Sequence, residues 1–184
     1  VANIIKEYGF PVISADELAH QAMEPGTAVF EAIIKEFGDT VVGGDGRINR
    51  RELGRRVFKD AALRRKLEKI VHPSVIAEIR RARERFQNSG EPFLIVEAPL
   101  LFEAGMADLF DFIWVVAVSA PEQQKRLRAR DRLSETEVQE RIAAQQPLKE
   151  KIMKADAVID NNISIEETRR QLVKLLNDLG VANC

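Results

Sequence analysis

Three carboxylates stand at the ends of short apolar runs rich in β-branched residues: Asp16 after Phe10–Ser14, Glu97 after Phe93–Val96 and Asp160 after Ala157–Ile159. If the runs are parallel strands, each carboxylate reaches the edge where open α/β sheets gather ligands. There it can orient a hydroxyl nucleophile, accept its proton, or hold the water shell of a divalent cation. Spacing leaves a plainer role open for Asp16 and Asp160, that of capping the segment that follows. Arg126 and Arg130 form a second constellation. Four residues apart on a helix they share one face, and a guanidinium offers a planar fork of donors that suits a polyphosphate. An ordinary solvated face has the same spacing. Arg128 and Arg132 fall on another face and read as solvated.

Other chemistries find little support. His20 and His72 are the two histidines, and neither has a second ligand at zinc spacing. His72 precedes Pro73 between two helical patterns, where Pro starts a new helix and the imidazole serves the junction. Cys184 is the single cysteine, which excludes an intrachain disulfide and a cysteine metal site. Neither a Gly-x-x-x-x-Gly-Lys-Ser/Thr loop nor a Gly-x-Gly-x-x-Gly turn occurs.

The net charge of −1 conceals an uneven distribution. Residues 47–85 carry 14 basic side chains against 5 acidic ones, and residues 125–132 add five more basics beside Asp131. Such asymmetry suits an anionic partner, either a phosphate-bearing small molecule or a nucleic acid, though exposed helices are often as charge-rich. Scarce aromatics there, Phe58 within the first segment and Phe86 just after it, weigh against stacking on single-stranded nucleic acid. At 45% hydrophobic and 31% charged over 184 residues, the chain is expected to fold as one domain or one domain with an insertion. The longest uncharged apolar run, Phe112–Pro121, is too short to span a bilayer. The expected compartment is the cytoplasm.

The elements that must position these groups follow from periodicity. Phe10–Ser14, Phe93–Val96, Phe112–Val118 and Ala157–Ile159 read as strands buried on both faces. Helices are expected at Pro25–Phe37, Asn49–Phe58, Asp60–Val71 and Pro73–Gln87, with a tight turn at Gly43–Gly46. Further helices start at Ser119-x-x-Glu122, Ser134-x-x-Glu137 and Ser164-x-x-Glu167, each a capping-box signature, and Gly180 stops the last. Strands alternating with helices predict a parallel α/β sheet carrying a helical insertion.

Several segments resemble the dephospho-CoA kinases. They are Gly9-Phe-Pro-Val-Ile-Ser-Ala-Asp16 with Leu18-Ala19-His20, Asp45-Gly-Arg-Ile-Asn-Arg50, Ile70-Val-His-Pro73 and Ala98-Pro-Leu-Leu-Phe-Glu103. Arg126-x-x-x-Arg130-Asp131, Gln145-Gln-Pro, Lys151 through Ala155-Asp156 and Val158-Ile-Asp-Asn-Asn162 continue the series. The likeness holds in order and spacing from residue 1 to about 175. It implies a P-loop-kinase-like three-layer α/β fold with a parallel sheet in strand order 2-3-1-4-5. The core would comprise residues 1–16, 90–120 and 155–184, the helical substrate domain 17–89 and the lid 121–154.

The implied activity is transfer of a phosphoryl group from ATP, with Mg²⁺, to the ribose 3′-hydroxyl of dephospho-CoA, completing coenzyme A. Asp16 would be the base beside the hydroxyl or a partner of hydrated Mg²⁺, with Arg130 acting on the transferring phosphates. Arg126, Arg130, Asn161 and Asn162 would bind ATP. His20, Arg50, His72, Pro99, Leu100 and Glu103 would serve the dephospho-CoA side. No nucleic-acid or membrane partner is expected. The competing readings are another P-loop nucleoside or nucleotide kinase, and a basic helical module for nucleic acid. Two departures from the family pattern stand out. Ser14 occupies a position that is commonly a second aspartate. The likeness also begins at the helix following the phosphate-binding loop, so that loop and the strand before it are expected to precede residue 1. Residues 1–184 without them are expected to have little or no kinase activity.

Overall fold

A computed structural model of the protein describes residues 1–88, 93–131 and 133–180; Arg132 and Cys184 lie outside the described residues. In chain order the elements are α1 (Ala2–Glu7), β1 (Val12–Ser14), α2 (Ala15–Ala22), α3 (Ala28–Phe37), α4 (Arg50–Lys59), α5 (Ala61–Gln87) and β2 (Ile95–Glu97). They continue as β3 (Trp114–Ala117), α6 (Ala120–Asp131), α7 (Glu135–Ala143), α8 (Leu148–Met153), β4 (Ala157–Asp160) and α9 (Ile165–Asp178). All four expected strands are present: β1 and β3 are shorter than expected, β2 is shifted towards Glu97, and β4 is one residue longer. The chain divides into two compact units: Val1–Val12, Pro92–Ile95 and Leu101–Cys184 form one, Ile13–Glu91 and Val96–Leu100 the other. None of the described helices is long and apolar enough to cross a membrane.

The first unit is α/β. β3 and β4 pair in parallel, with Val115 opposite Val158 and Val116 opposite Ile159. Ile159 lies in a cluster with Ile4, Ile5 and Leu172, against which Trp114, Phe10 and Tyr8 pack. α9 contributes through its fourfold spacing, which buries Thr168, Leu172 and Leu176 on one stripe. Emptying such a site is costly, roughly 2–5 kcal/mol for a buried Leu→Ala. Trp114 is thus half-buried, with its ring laid against this core. The expectation of strands buried on both faces is corrected here. Side chains alternate along a strand, so while Val115 and Ile159 are buried, Val116 and Val158 remain 40% and 41% exposed. Among the described residues the strands form two two-stranded sheets, β1–β2 and β3–β4, and Ile95 donates its N–H to the Pro11 carbonyl at 3.2 Å.

The second unit is almost wholly helical, with α5 packed against α2, α3 and α4. Caps set the boundaries. Thr27 accepts from the Phe30 N–H at 3.0 Å, Asn49 from Glu52 at 3.1 Å, and Asp60 from Ala62 and Leu63 at 2.7 and 3.1 Å. The turn expected at Gly43–Gly46 forms: Gly43 N–H meets the Arg47 carbonyl at 2.8 Å, and Gly46 has φ of 75°, a region that favours glycine.

Residues 61–87 make one helix, not the two expected to meet at Pro73. A proline inside a helix removes one backbone donor and costs about 3 kcal/mol. Here Val71, Val75, Ile79 and Ala82 form a buried stripe that runs straight through the proline. Burying the larger of these side chains is worth roughly 1.5–3 kcal/mol each, so packing on both sides of Pro73 outweighs the lost bond. His72 makes no hydrogen bond at this point among the described residues.

Candidate active site

β1 ends at Ser14 and α2 begins one residue later, and Ser14 is what caps it: its Oγ accepts from the Glu17 N–H at 3.3 Å. Ser14-x-x-Glu17 carries the same start signal as Ser134 and Ser164, so this helix was readable from the sequence. That removes the capping role left open for Asp16. It is not the cap; it lies exposed in the first turn of α2, and its carboxylate makes no hydrogen bond among the described residues. A carboxylate at a helix N-terminus sits in the favourable field of the helix dipole.

Asp16 shares its surroundings with two other expected site residues. His20 lies one turn further along α2, and both Arg50 and Asp16 act on its charge. Loss of hydration around the ring, then the Arg50 guanidinium, lower the His20 pKa below that of a free imidazole, while Asp16 and Glu17 oppose them. The net effect disfavours the protonated imidazole. His72, half-buried in α5, is also lowered, by burial, with Glu68 opposing.

Much of the basic charge in this unit is already matched. Arg47 pairs with Glu24, Arg55 and Arg56 with Glu52, Lys66 with Glu36, and Arg81 with Glu78. The two arginines hold the Glu52 carboxyl at a pKa of about 2. Exposed pairs of this sort add little stability, but they reduce the charge left over for a polyanion.

The other expected group lies in the first unit, at the carboxyl edge of β3 and β4. The Asn161 N–H donates to the Ala117 carbonyl at 2.8 Å and extends the ladder past β4. The Asn162 side chain is engaged at both ends: its Oδ1 accepts from the Ser119 N–H at 2.6 Å, and its Nδ2 donates to Asp160 Oδ1 at 2.7 Å. Asp160 also accepts from the Asn162 N–H, and these two bonds hold its carboxyl below the usual range. Asp160 thus ties its own loop, and Ser164 caps α9. From below, Gln171 brackets Asp160, and the buried Thr168 hydroxyl reaches Asn161 Oδ1 at 3.2 Å. Neither residue stood out in the sequence, because each acts from inside a helix with no motif of its own.

Arg126 spans this edge. Its Nε donates to Glu122 Oε1 at 2.7 Å and its Nη2 to the Asn161 carbonyl at 3.0 Å. The capping box expected at Ser119 gives way to this use of Glu122, while the Ser119 N–H goes to Asn162. Arg130, with its side chain 73% exposed, makes a two-pronged contact with Asp131 at 2.8 and 3.1 Å. Asp131 also receives Arg141 at 2.6 Å, and the arginines, Arg130 foremost, hold its carboxyl low. The capping box at Ser134 and Glu137 forms as expected.

Pro99 and Leu100 lie in the turn after β2 and belong to the second unit. Glu103 belongs to the first. Its Oε1 accepts from Lys151 Nζ and from the Gln146 N–H, both at 2.8 Å. Lys151 entered the sequence reading only as part of a motif; a lysine 48 positions away gives no sign of its partner. Among the described residues no group of three or more His, Cys, Asp or Glu gathers as a metal cage.

A parallel α/β unit with arginines and a looped carboxylate at the strand edge, and a helical unit inserted in its chain, is the plan of a nucleotide-type kinase. The family model for dephospho-CoA kinase matches residues 1–167. A dephospho-CoA kinase of Symbiobacterium thermophilum is 47% identical over 172 residues, covering 94% of this chain and 72% of that protein. One from Carboxydothermus hydrogenoformans is 43% identical, covering 96% and 85%. Among solved structures, a Thermus thermophilus protein superposes with a TM-score of 0.77 at 36% identity, over 97% of this chain and 89% of its own. The dephospho-CoA kinase of Campylobacter jejuni gives 0.69 at 29% identity, over 99% and 90%. This chain belongs to the dephospho-CoA kinase family.

Proposed function

We propose that this protein transfers the γ-phosphoryl group of ATP to the ribose 3′-hydroxyl of dephospho-CoA, the last step of coenzyme A biosynthesis, with Asp16 and Arg130 carrying the transfer. Family membership supports the reaction. The observation that supports the roles is the division of labour at β1–α2: Ser14 caps the helix and leaves the Asp16 carboxylate unengaged.

In the step proposed, the 3′-oxygen attacks the γ-phosphorus as its proton passes to Asp16. The new O–P bond forms, the bond to the bridging oxygen breaks, and ADP leaves. Most of the catalysis is positioning and charge neutralisation. Arg130 suits that task, since an exposed guanidinium held by a neighbouring carboxylate can exchange it for phosphate oxygens. Arg126, Asn161 and Asn162 serve the ATP side; with the Asn162 side chain occupied, its contribution is the shape of the loop. His20, Arg50, His72, Pro99 and Leu100 serve the acceptor side, and Glu103 acts on that side as well. Mg²⁺, when bound, neutralises charge on the β- and γ-phosphates. A single exposed carboxylate such as Asp16 fits that ion, which keeps most of its water and takes few protein ligands. Reaction with these two metabolites suits a cytoplasmic enzyme.

The test is ADP release by the full-length protein with dephospho-CoA, adenosine, AMP or shikimate offered separately. Turnover with dephospho-CoA well above the others is expected. Phosphorylation of AMP alone would replace this reading with that of a nucleotide kinase.

A further inference from the structure

We infer that Glu103 acts as a positioning residue and not as a substrate contact, with Lys151 as its buried counter-ion. The inference rests on the dephospho-CoA reading above and assigns one part of its acceptor side. Both side chains are only 12% exposed. An ionised carboxylate offers about four acceptor sites, and Glu103 has its two bonds on one oxygen, to Lys151 Nζ and the Gln146 N–H. The other, Oε2, is sealed from solvent and has no hydrogen-bond partner among the described residues. A bound ligand therefore finds one oxygen doubly bonded and the other out of reach.

The bonds around it show what the pair holds. Glu103 sits inside a turn closed by Met106 N–H to the Leu101 carbonyl at 3.0 Å and Gly105 N–H to Phe102 at 3.1 Å. The turn follows Pro99 and Leu100 directly in the chain. On the other side, Gln146 lies just before α8 and Lys151 lies within it. A second, parallel attachment joins the same segments: Lys154 lies over the Phe102 ring at 5.5 Å, and its Nζ is 3.2 Å from Gln146 Oε1. The ion pair thus fixes the turn after Leu100 to the segment 146–154.

Physics separates positioning from contact. Removing one member of a buried ion pair strands an uncompensated charge, whereas replacing both with neutral groups of similar shape is far better tolerated. A ligand contact behaves otherwise: once lost, a second substitution does not bring it back. The experiment is calorimetric titration of dephospho-CoA and, separately, of a non-hydrolysable ATP analogue into the full-length protein and three variants, with unfolding temperatures alongside. Glu103→Gln and Lys151→Met should each weaken dephospho-CoA binding about tenfold or more and lower the unfolding temperature. The double variant should recover to within about threefold of the unaltered protein, with analogue affinity within about twofold throughout. A double variant as weak as Glu103→Gln would make Glu103 a direct ligand and overturn the inference. So would single variants that lose stability with no change in dephospho-CoA affinity. Failure of the unaltered protein to bind dephospho-CoA would instead overturn the acceptor reading itself.

Discussion

Arg126 donates to the backbone carbonyl of Asn161 at 3.0 Å, which ties α6 to the loop after β4 across 35 residues of chain. The same guanidinium holds Glu122. The two acceptors are met by different nitrogens of one planar guanidinium, a spread that the single nitrogen of a lysine does not reproduce. Arg126→Ala should weaken binding of an ATP analogue about tenfold, and Arg126→Lys should not restore it. The side chain is 44% exposed, so the stability cost should stay below about 1 kcal/mol. Calorimetric titration with parallel thermal melts reads both; unchanged affinity would confine Arg126 to a structural tie.

Asp16→Asn keeps the shape of the first turn of α2 and removes the proton acceptor. Since Ser14 provides the cap, the helix should persist. Turnover should fall by about 10²–10⁴, the range for a lost general base, with nucleotide affinity nearly unchanged. Steady-state kinetics beside direct ATP-analogue binding checks this, and unaltered turnover would remove Asp16 from the mechanism.

Arg130→Ala tests the opposite balance. The side chain is mostly exposed, and Asp131 keeps Arg141 as a partner. Folding should be nearly unaffected while turnover falls by about 10²–10³, as expected when a charge-stabilising donor is lost. A variant that loses activity only because its unfolding temperature collapses would contradict the assignment.

His72 makes stability depend on pH. Burial lowers its folded-state pKa below 6.5, so between those two values the unfolded chain binds a proton more readily. Stability must then fall as pH drops from about 7 towards 5. His20, lowered by desolvation and Arg50, acts with the same sign. Asp160 and Asp131, held low in the folded state, lose their contributions only in stronger acid. Unfolding temperatures across that range should show a shallower slope for His72→Gln; an identical slope would mean that the imidazole takes up its proton as readily folded as unfolded.

The strands and most helix starts were legible because each has a local physical cause. Val115 and Ile159 sit in β-branched runs, and Ser134 and Glu137 are three apart. Pro73 was misread because the local cost of a helical proline is visible in sequence, while the stripe of Val71, Val75, Ile79 and Ala82 that offsets it takes its value from the helices packed against it. The site divides the same way. Asp16 and the arginine pair stand out by position, but the Ser119–Asn162 bond and the Glu103–Lys151 pair depend on partners distant in sequence. Spacing carries no trace of those.

The position of the new phosphate distinguishes transfer to the 3′-hydroxyl from every other outcome. After incubation of the full-length protein with MgATP and dephospho-CoA, phosphorus NMR of the purified product should show a phosphomonoester on the ribose 3′-oxygen, formed in step with ADP. ADP production without that ester, or an ester on any other oxygen, would contradict the account.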